Sequence, residues 1–401
     1  MKRLAKKTIN PLKYFIADSR SIGILLLLCT GFSLLMSNTL SGEWYRSIWN
    51  AETASAFNLP HSPLKWINDF LMSFFFLLAG MEIKRELVRG ELSSFKRAIL
   101  PFGAALGGMV VPALIYLFFN ARSGFAHGWG IPTATDIAFS LGIASLFGKR
   151  VPTSLKIFLM ALAIIDDLGA IIVIALFYGG KVQGLYLALG AILYGLLWLC
   201  NYLRVKPGLI QFAISLLLWY AILSSGIEAS ITGVLVAFAM PVNSLPKLEK
   251  VIHGTVNFLI LPFFALANTA VLIPADISIA LNNSIGIGVI AGLVIGKPVG
   301  IFLFSRFLVA LKIARLPSHV YWKQFLGMGT LAGIGFTMSI FTTTLAFSGE
   351  NYRDVAKISI LISMMLSLLI SWMYFLMVGQ SARRKSAAVP TPNMHGEIAL
   401  S

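Results

Sequence analysis

Apolar stretches of roughly 15 to 25 residues alternate with short polar connections along almost the whole chain. They fall at about residues 22–37, 67–83, 98–119, 124–147, 157–178, 183–202, 208–222, 226–241, 252–273, 285–305, 324–348 and 358–379. A helix of about 20 apolar residues, rising about 1.5 Å per residue, crosses a hydrocarbon core of about 30 Å. The pattern therefore predicts an all-α polytopic membrane protein with 12 transmembrane helices, a single integral membrane domain over residues 1–401. The weakest pair is 208–222 and 226–241, because both are short and only Ser224-Ser225-Gly226 divides them.

Composition agrees with the pattern. The chain is 57% hydrophobic and only 12% charged, where a soluble domain averages about a quarter charged residues. The net charge of +16 raises the question of nucleic acid, but the positions of the charges exclude that partner. With the N-terminus inside, the basic residues crowd the inner loops: Lys84, Arg85, Arg89, Lys96 and Arg97, then Lys149, Arg150 and Lys156, and onward to Arg383, Arg384 and Lys385. Of 32 lysines and arginines, the outer side holds only Arg46, Lys65, Arg122, Lys181, Arg353 and Lys357, and Lys297 falls within a span. This positive-inside asymmetry supports twelve spans with both termini cytoplasmic.

The basic segment from Lys2 to Lys13 and the apolar run after it are not followed by a small-residue cleavage pattern, so that run is expected as an uncleaved first span. Cys29 and Cys200 both lie in apolar segments and are expected as packing residues. The outer loop 38–63 carries Trp44, Tyr45 and Trp49, which suit an interfacial anchor, and the polar tail 386–401 is expected to be disordered.

Two spans are interrupted. Gly128-Trp129-Gly130-Ile131-Pro132-Thr133-Ala134-Thr135-Asp136 places helix breakers before hydroxyls and an acid, and Gly327-Met328-Gly329-Thr330-Leu331-Ala332-Gly333-Ile334-Gly335-Phe336-Thr337 does the same without the acid. Non-helical backbone at membrane depth survives only where protein buries it or it lines water. Each interruption is the middle of a helix triplet, 98–178 and 285–379, and the triplets enter from opposite sides. They read as two inverted three-helix repeats with interrupted middle helices. Glycine-rich packing seams are the competing explanation.

Few charges fall deep within spans: Asp136, Asp166, Asp167 and Lys297, with Asp69, Glu82 and Glu228 nearer the ends. Asp166 lies roughly 14 Å into its span at about 1.5 Å per residue, and each such carboxylate costs on the order of 2.5–3.5 kcal/mol to insert. Three acids and one base suit a hard cation better than an anion, and no His/Cys cluster offers a transition-metal site. Crowded, buried carboxyls can hold protons near neutral pH and release them when a cation arrives, which is the minimal mechanism of exchange. Adjacent helical residues point about 100° apart, so the two aspartates cannot do the same job.

Asp136 after Thr135 reads as an N-cap that can also balance helix-end dipoles. Lys297, in Ile295-Gly296-Lys297-Pro298, needs an acidic partner and reads as a counter-ion; Pro298 rules out a phosphate-binding loop. Without a nucleotide-hydrolysis motif, any transport must run on a gradient. Asp69 reads as an interfacial polar residue or as part of a funnel. Glu82 ends its span in a charged inner cluster, and Glu249 with His253 forms another, where histidine titrates near neutrality.

At Thr133-Ala134-Thr135-Asp136-Ile137-Ala138-Phe139, Ala163-Ile164-Ile165-Asp166-Asp167-Leu168-Gly169-Ala170, Gly80-Met81-Glu82-Ile83-Lys84-Arg85-Glu86-Leu87 and Gly333-Ile334-Gly335-Phe336-Thr337-Met338-Ser339, the chain resembles the NhaA-type sodium/proton antiporters over nearly its whole length. The resemblance implies a bacterial inner-membrane exchanger, with no cofactor, that expels Na+ or Li+ for protons, electrogenically and on the proton gradient. It implies Asp166 and Asp167 as the Na+- and proton-binding pair, with Asp167 the direct ligand and proton carrier and Asp166 the partner of Lys297. Asp136 and Thr135 fall at the helix crossing, Asp69 in an outer funnel, and Glu82, Glu249 and His253 in a pH-sensing region. Loop 38–63 matches a dimer-forming hairpin, so a homodimer is expected. Glu228, in Ser225-Gly226-Ile227-Glu228-Ala229, departs from the histidine expected at a pH-sensing position, which bears on the activation pH. An intramembrane aspartyl protease needs its acids on separate helices and a passive channel needs no buried lysine, so both fit less well.

Overall fold

The computed structural model describes residues 19–52, 59–203, 205, 208–274, 282–317 and 320–387. Among these every regular element is helical. Each of the twelve apolar segments carries a helix or a broken pair. We number them α1 (Ser19–Ser37), α2 (Gly42–Asn50), α3 (Pro63–Arg89), α4 (Phe95–Asn120), α5 (Ile137–Leu146), α6 (Thr153–Phe177), α7 (Gly184–Tyr202), α8 (Leu209–Ser225), α9 (Thr232–Ala239), α10 (Leu245–Asn268), α11 (Ser284–Ala310), α12 (Trp322–Ala332), α13 (Phe336–Ala346) and α14 (Glu350–Ala387). Among the described residues seven helices, α3, α4, α6, α7, α10, α11 and α14, are long and apolar enough to cross a membrane alone. Counting the bent pairs α1/α2 and α12/α13 as single spans raises this to nine.

The weak division at Ser224-Ser225-Gly226 is a real break: α8 ends at Ser225 and Gly226 takes φ 85°, a left-handed cap that glycine adopts without strain. Two further segments are described in part. The loop 38–63 contains a nine-residue helix, α2, turned 115° from α1; residues 53–58 lie outside the described residues. The tail expected as disordered from 386 is helical through Ala387, and residues 388–401 lie outside the described residues. Lys2 to Lys13, Arg204 and Lys206 also lie outside them.

The core forms where α3, α4, α6, α11 and α12–α13 pack, and small residues set the spacing. On α4 and α11, a Cβ on Gly300 would lie 2.1 Å from the Gly107 carbonyl oxygen. On α3 and α9, a Cβ on Gly233 would lie 1.9 Å from the Ser73 carbonyl oxygen. Such contact of backbones drives helix association where lipid is as apolar as leucine. α7 and α8 hold the margin, with Leu193 and Leu197 packed on Leu218 and Ile222. Large apolar side chains on their other faces, such as Leu185 and Leu209, are exposed, as suits a lipid-facing surface.

Both interruptions are present, in unequal form. The first is a 3-10 helix, Ala126–Thr133, followed by extended Ala134 to Asp136 and then α5. The second is narrow: α12 and α13 are separated by Gly333 to Gly335 and bent by 46°. Gly327 and Gly329, expected within that break, sit inside α12, where they admit Tyr374 and Pro298. Those two are packing positions.

Candidate functional site

The two interruptions touch each other. Asp136 N–H donates to the Ile334 carbonyl at 2.7 Å, and Ser140 Oγ donates to Leu331 O at 3.0 Å. The Ile334 carbonyl in the gap after α12 is thus taken by the chain entering α5, and the Leu331 carbonyl in the last turn of α12 accepts from Ser140 as well as from Ile334 N–H. The Asp136 carboxylate caps two helices at once. Its Oδ1 accepts Phe139 N–H at 3.1 Å in α5, and its Oδ2 accepts Thr337 N–H at 3.0 Å and Thr337 Oγ1 at 2.6 Å in α13. One negative charge thereby faces the positive ends of two helices. Thr337 was not singled out from the sequence, although its hydroxyl directly follows the second glycine-rich run.

α6 brings its two aspartates to different neighbours. Asp166 is wholly buried, and its Oδ2 receives Lys297 Nζ at 2.9 Å and Thr135 Oγ1 at 2.6 Å. Ala332 O lies 3.0 Å from the same threonine oxygen. Lys297 opens the second regular part of α11 after a π-helical turn, Gly292–Gly296, and also donates to the Thr133 carbonyl. Asp167 points elsewhere: it lines a cavity of about 180 Å³ together with Thr135, Asp136 and Thr337, and its Oδ1 has no hydrogen-bond partner among the described residues. Asp166 does not line that cavity. The wheel offset of about 100° between neighbouring residues is realised as one paired and one open carboxylate.

From Asp167 the cavity runs to Glu82, Arg85 and His253, at the charged end of α3 and its neighbour α10. Arg85 is bonded to Glu249 and lies 3.7 Å from Glu86. Lys84, not expected to have a specific job, donates to the Phe238 carbonyl at 2.7 Å and to Met240 O, closing the C-terminus of α9. Asp69 and Glu228 stand apart from this cavity. Asp69 lies in a π-helical turn, Trp66–Leu71, where its carbonyl accepts Trp219 Nε1 at 2.9 Å. Glu228 begins the turn into α9, within electrostatic reach of Asp69, with an enclosed Oε1 that has no partner among the described residues.

An all-helical membrane-crossing bundle with broken helices, a buried lysine–aspartate pair and an open carboxylate on a cavity defines an ion-handling membrane protein. The comparisons narrow this to one family. The family described as Na+/H+ antiporter 1 matches residues 13–375, and the chain belongs to it. The Na+/H+ antiporter NhaA 2 of Flavobacterium johnsoniae is 46% identical over 364 residues, covering 88% of this chain and 89% of that protein. NhaA 1 of Clostridium beijerinckii is 45% identical over 378 residues, covering 91% and 94%. NhaA 1 of Klebsiella pneumoniae is 44% identical over 381 residues, covering 92% and 96%. The family is one of transporters, not enzymes, and its members cross the membrane several times.

Proposed function

We propose that this protein exports Na+ or Li+ across the bacterial inner membrane in exchange for a larger number of protons, electrogenically, on the proton gradient, with pH control. The observation that supports this best is the inequality of the α6 carboxylates. Asp167 lines the cavity and is held by no lysine, whereas Asp166 lies off it with its Oδ2 held by Lys297 and Thr135. On this reading Asp167 binds either cation or proton, and occupancy by one excludes the other. Asp166 keeps Lys297 in place, and Lys297 supplies the positive charge when no cation is present. Asp136 and Thr135 hold the crossing together while the cation binds beside them.

Glu82, Glu249 and His253 are the proposed pH-responsive end of the cavity, and Asp69 with Glu228 the proposed outer funnel and its titrating neighbour. Twelve spans follow if α1, α8, α9, the 3-10/α5 segment and the α12/α13 pair each cross once alongside the seven long helices. Both termini then lie in the cytoplasm, and the two triplets form inverted repeats.

Everted membrane vesicles test the reading. Addition of Na+ should collapse an imposed pH gradient, and Asp166→Asn or Asp167→Asn should abolish the response. Full activity in both variants would refute the site. An exchange rate indifferent to an imposed membrane potential would refute electrogenicity.

A further inference from the structure

The first interruption is held from behind by two tyrosines. Tyr116 on α4 donates to the Phe125 carbonyl at 3.1 Å, where the 3-10 segment starts. Tyr178, the residue that ends α6, reaches the segment's middle. Its hydroxyl accepts Gly130 N–H at 3.0 Å and donates to the His127 carbonyl at 2.7 Å, with the His127 ring 4.9 Å away. The glycines are what let the rings approach. A Cβ at Gly128 would lie 2.4 Å from the Tyr116 oxygen, and one at Gly130 would lie 2.7 Å from the Tyr178 oxygen.

The bonds continue from there to the cation site. Thr133 Oγ1 donates to Gly130 O at 2.8 Å, the Thr133 carbonyl accepts Lys297, Lys297 pairs with Asp166, and Asp166 accepts Thr135. Asp166 is on the same helix as Tyr178, about 18 Å back along the axis at about 1.5 Å per residue. The contacts form a closed ring that leaves α6 at Tyr178 and returns to it at Asp166. We propose that Tyr178 is a positioning residue for exchange: it fixes the 3-10 segment to the helix that carries Asp166 and Asp167, so that the Thr133 carbonyl and Thr135 hydroxyl are in register with Lys297 and Asp166.

Short 3-10 turns have poor internal hydrogen bonds, and backbone groups away from water must find partners. Without the Tyr178 hydroxyl, Gly130 N–H and His127 C=O each lose one partner, and the segment is correctly placed only part of the time. A site competent for a fraction of the time binds with apparent affinity reduced by that fraction. This inference rests on the assignment of Asp166 and Asp167 given above, whose own failure would appear separately as unchanged exchange in their asparagine variants.

The test is Na+-dependent exchange in vesicles with Tyr178→Phe, which keeps the ring and removes only the hydroxyl. The apparent KM for Na+ should rise about fivefold, with the maximal rate within about twofold of the parent. Gly130→Ala should raise KM as well, by pushing against the tyrosine oxygen. Because both changes strike one contact, the double variant should have a KM no higher than the worse single one. An unchanged KM in Tyr178→Phe, or two effects that multiply independently, would overturn the proposal. Should Tyr178→Phe fail to accumulate in the membrane, Gly130→Ala alone carries the same expectation, and an unaltered KM there is equally decisive.

Discussion

Lys297 has three hydrogens to donate and finds two oxygens for them, one on Asp166 and one on the Thr133 backbone. A buried ion pair of this kind contributes little net stability, because desolvation offsets most of the attraction, but losing one partner strands the other. Lys297→Met should therefore lower stability by about 3 kcal/mol or more in detergent unfolding, whereas Lys297→Met/Asp166→Asn should lose distinctly less. Equal losses would show that Asp166 is not the residue left stranded. Asp167 makes a different prediction. If a proton and Na+ compete for its open oxygen, raising the pH removes the competitor and tightens apparent Na+ binding. Over the range in which the site is mostly protonated, KM should fall up to about tenfold per pH unit for one competing proton. A pH-independent KM measured in vesicles would remove Asp167 from that role.

Helices α3, α9 and α10 meet at a point no single residue explains. Lys84 closes the C-terminus of α9, and Arg85, its neighbour on α3, holds Glu249 on α10. Two adjacent side chains thus tie one helix to two others beside the cavity mouth. Lys84→Met should release the α9 carbonyls and cost about 1 kcal/mol, read as a lower unfolding temperature. The twelve apolar runs were legible because lipid demands about 20 apolar residues per crossing and leaves that length in the sequence. The unequal form of the two breaks was not. Glycine marks both a broken helix and a close contact, and only the presence of Tyr374 and Pro298 beside Gly327 and Gly329 assigns those two to packing.

At the scale of the whole molecule, α2 is tied to α1 and α10 through Tyr45, whose hydroxyl reaches Ser33 and the Leu266 carbonyl, while Trp44 is 64% exposed and Ile48 39% exposed. Such a face suits either an interfacial anchor or the homodimer that the resemblance implies through 38–63, and one substitution separates the two. Trp44→Glu should shift the protein from dimer toward monomer in native mass spectrometry from mild detergent, and an undisturbed dimer would place the interface elsewhere.

By itself the sequence determined the membrane class, the positions of the helices, the two interruptions and the short roster of intramembrane charges. Hydrophobic length and the cost of burying charge are properties of the chain that survive without its fold. It also determined that Asp166 and Asp167 must differ, since helix geometry turns neighbours about 100° apart. Beyond what the family resemblance implied, the residues left open which of them faces Lys297 and which faces the cavity, because that depends on how α6 is rotated against α11 and the two interruptions, which tertiary packing sets. The tertiary structure alone also supplied the partners that are backbone atoms, the carbonyls of Thr133 and Ile334 and the amide of Thr337. Every residue carries the same backbone groups, so no sequence pattern marks the ones that packing will use.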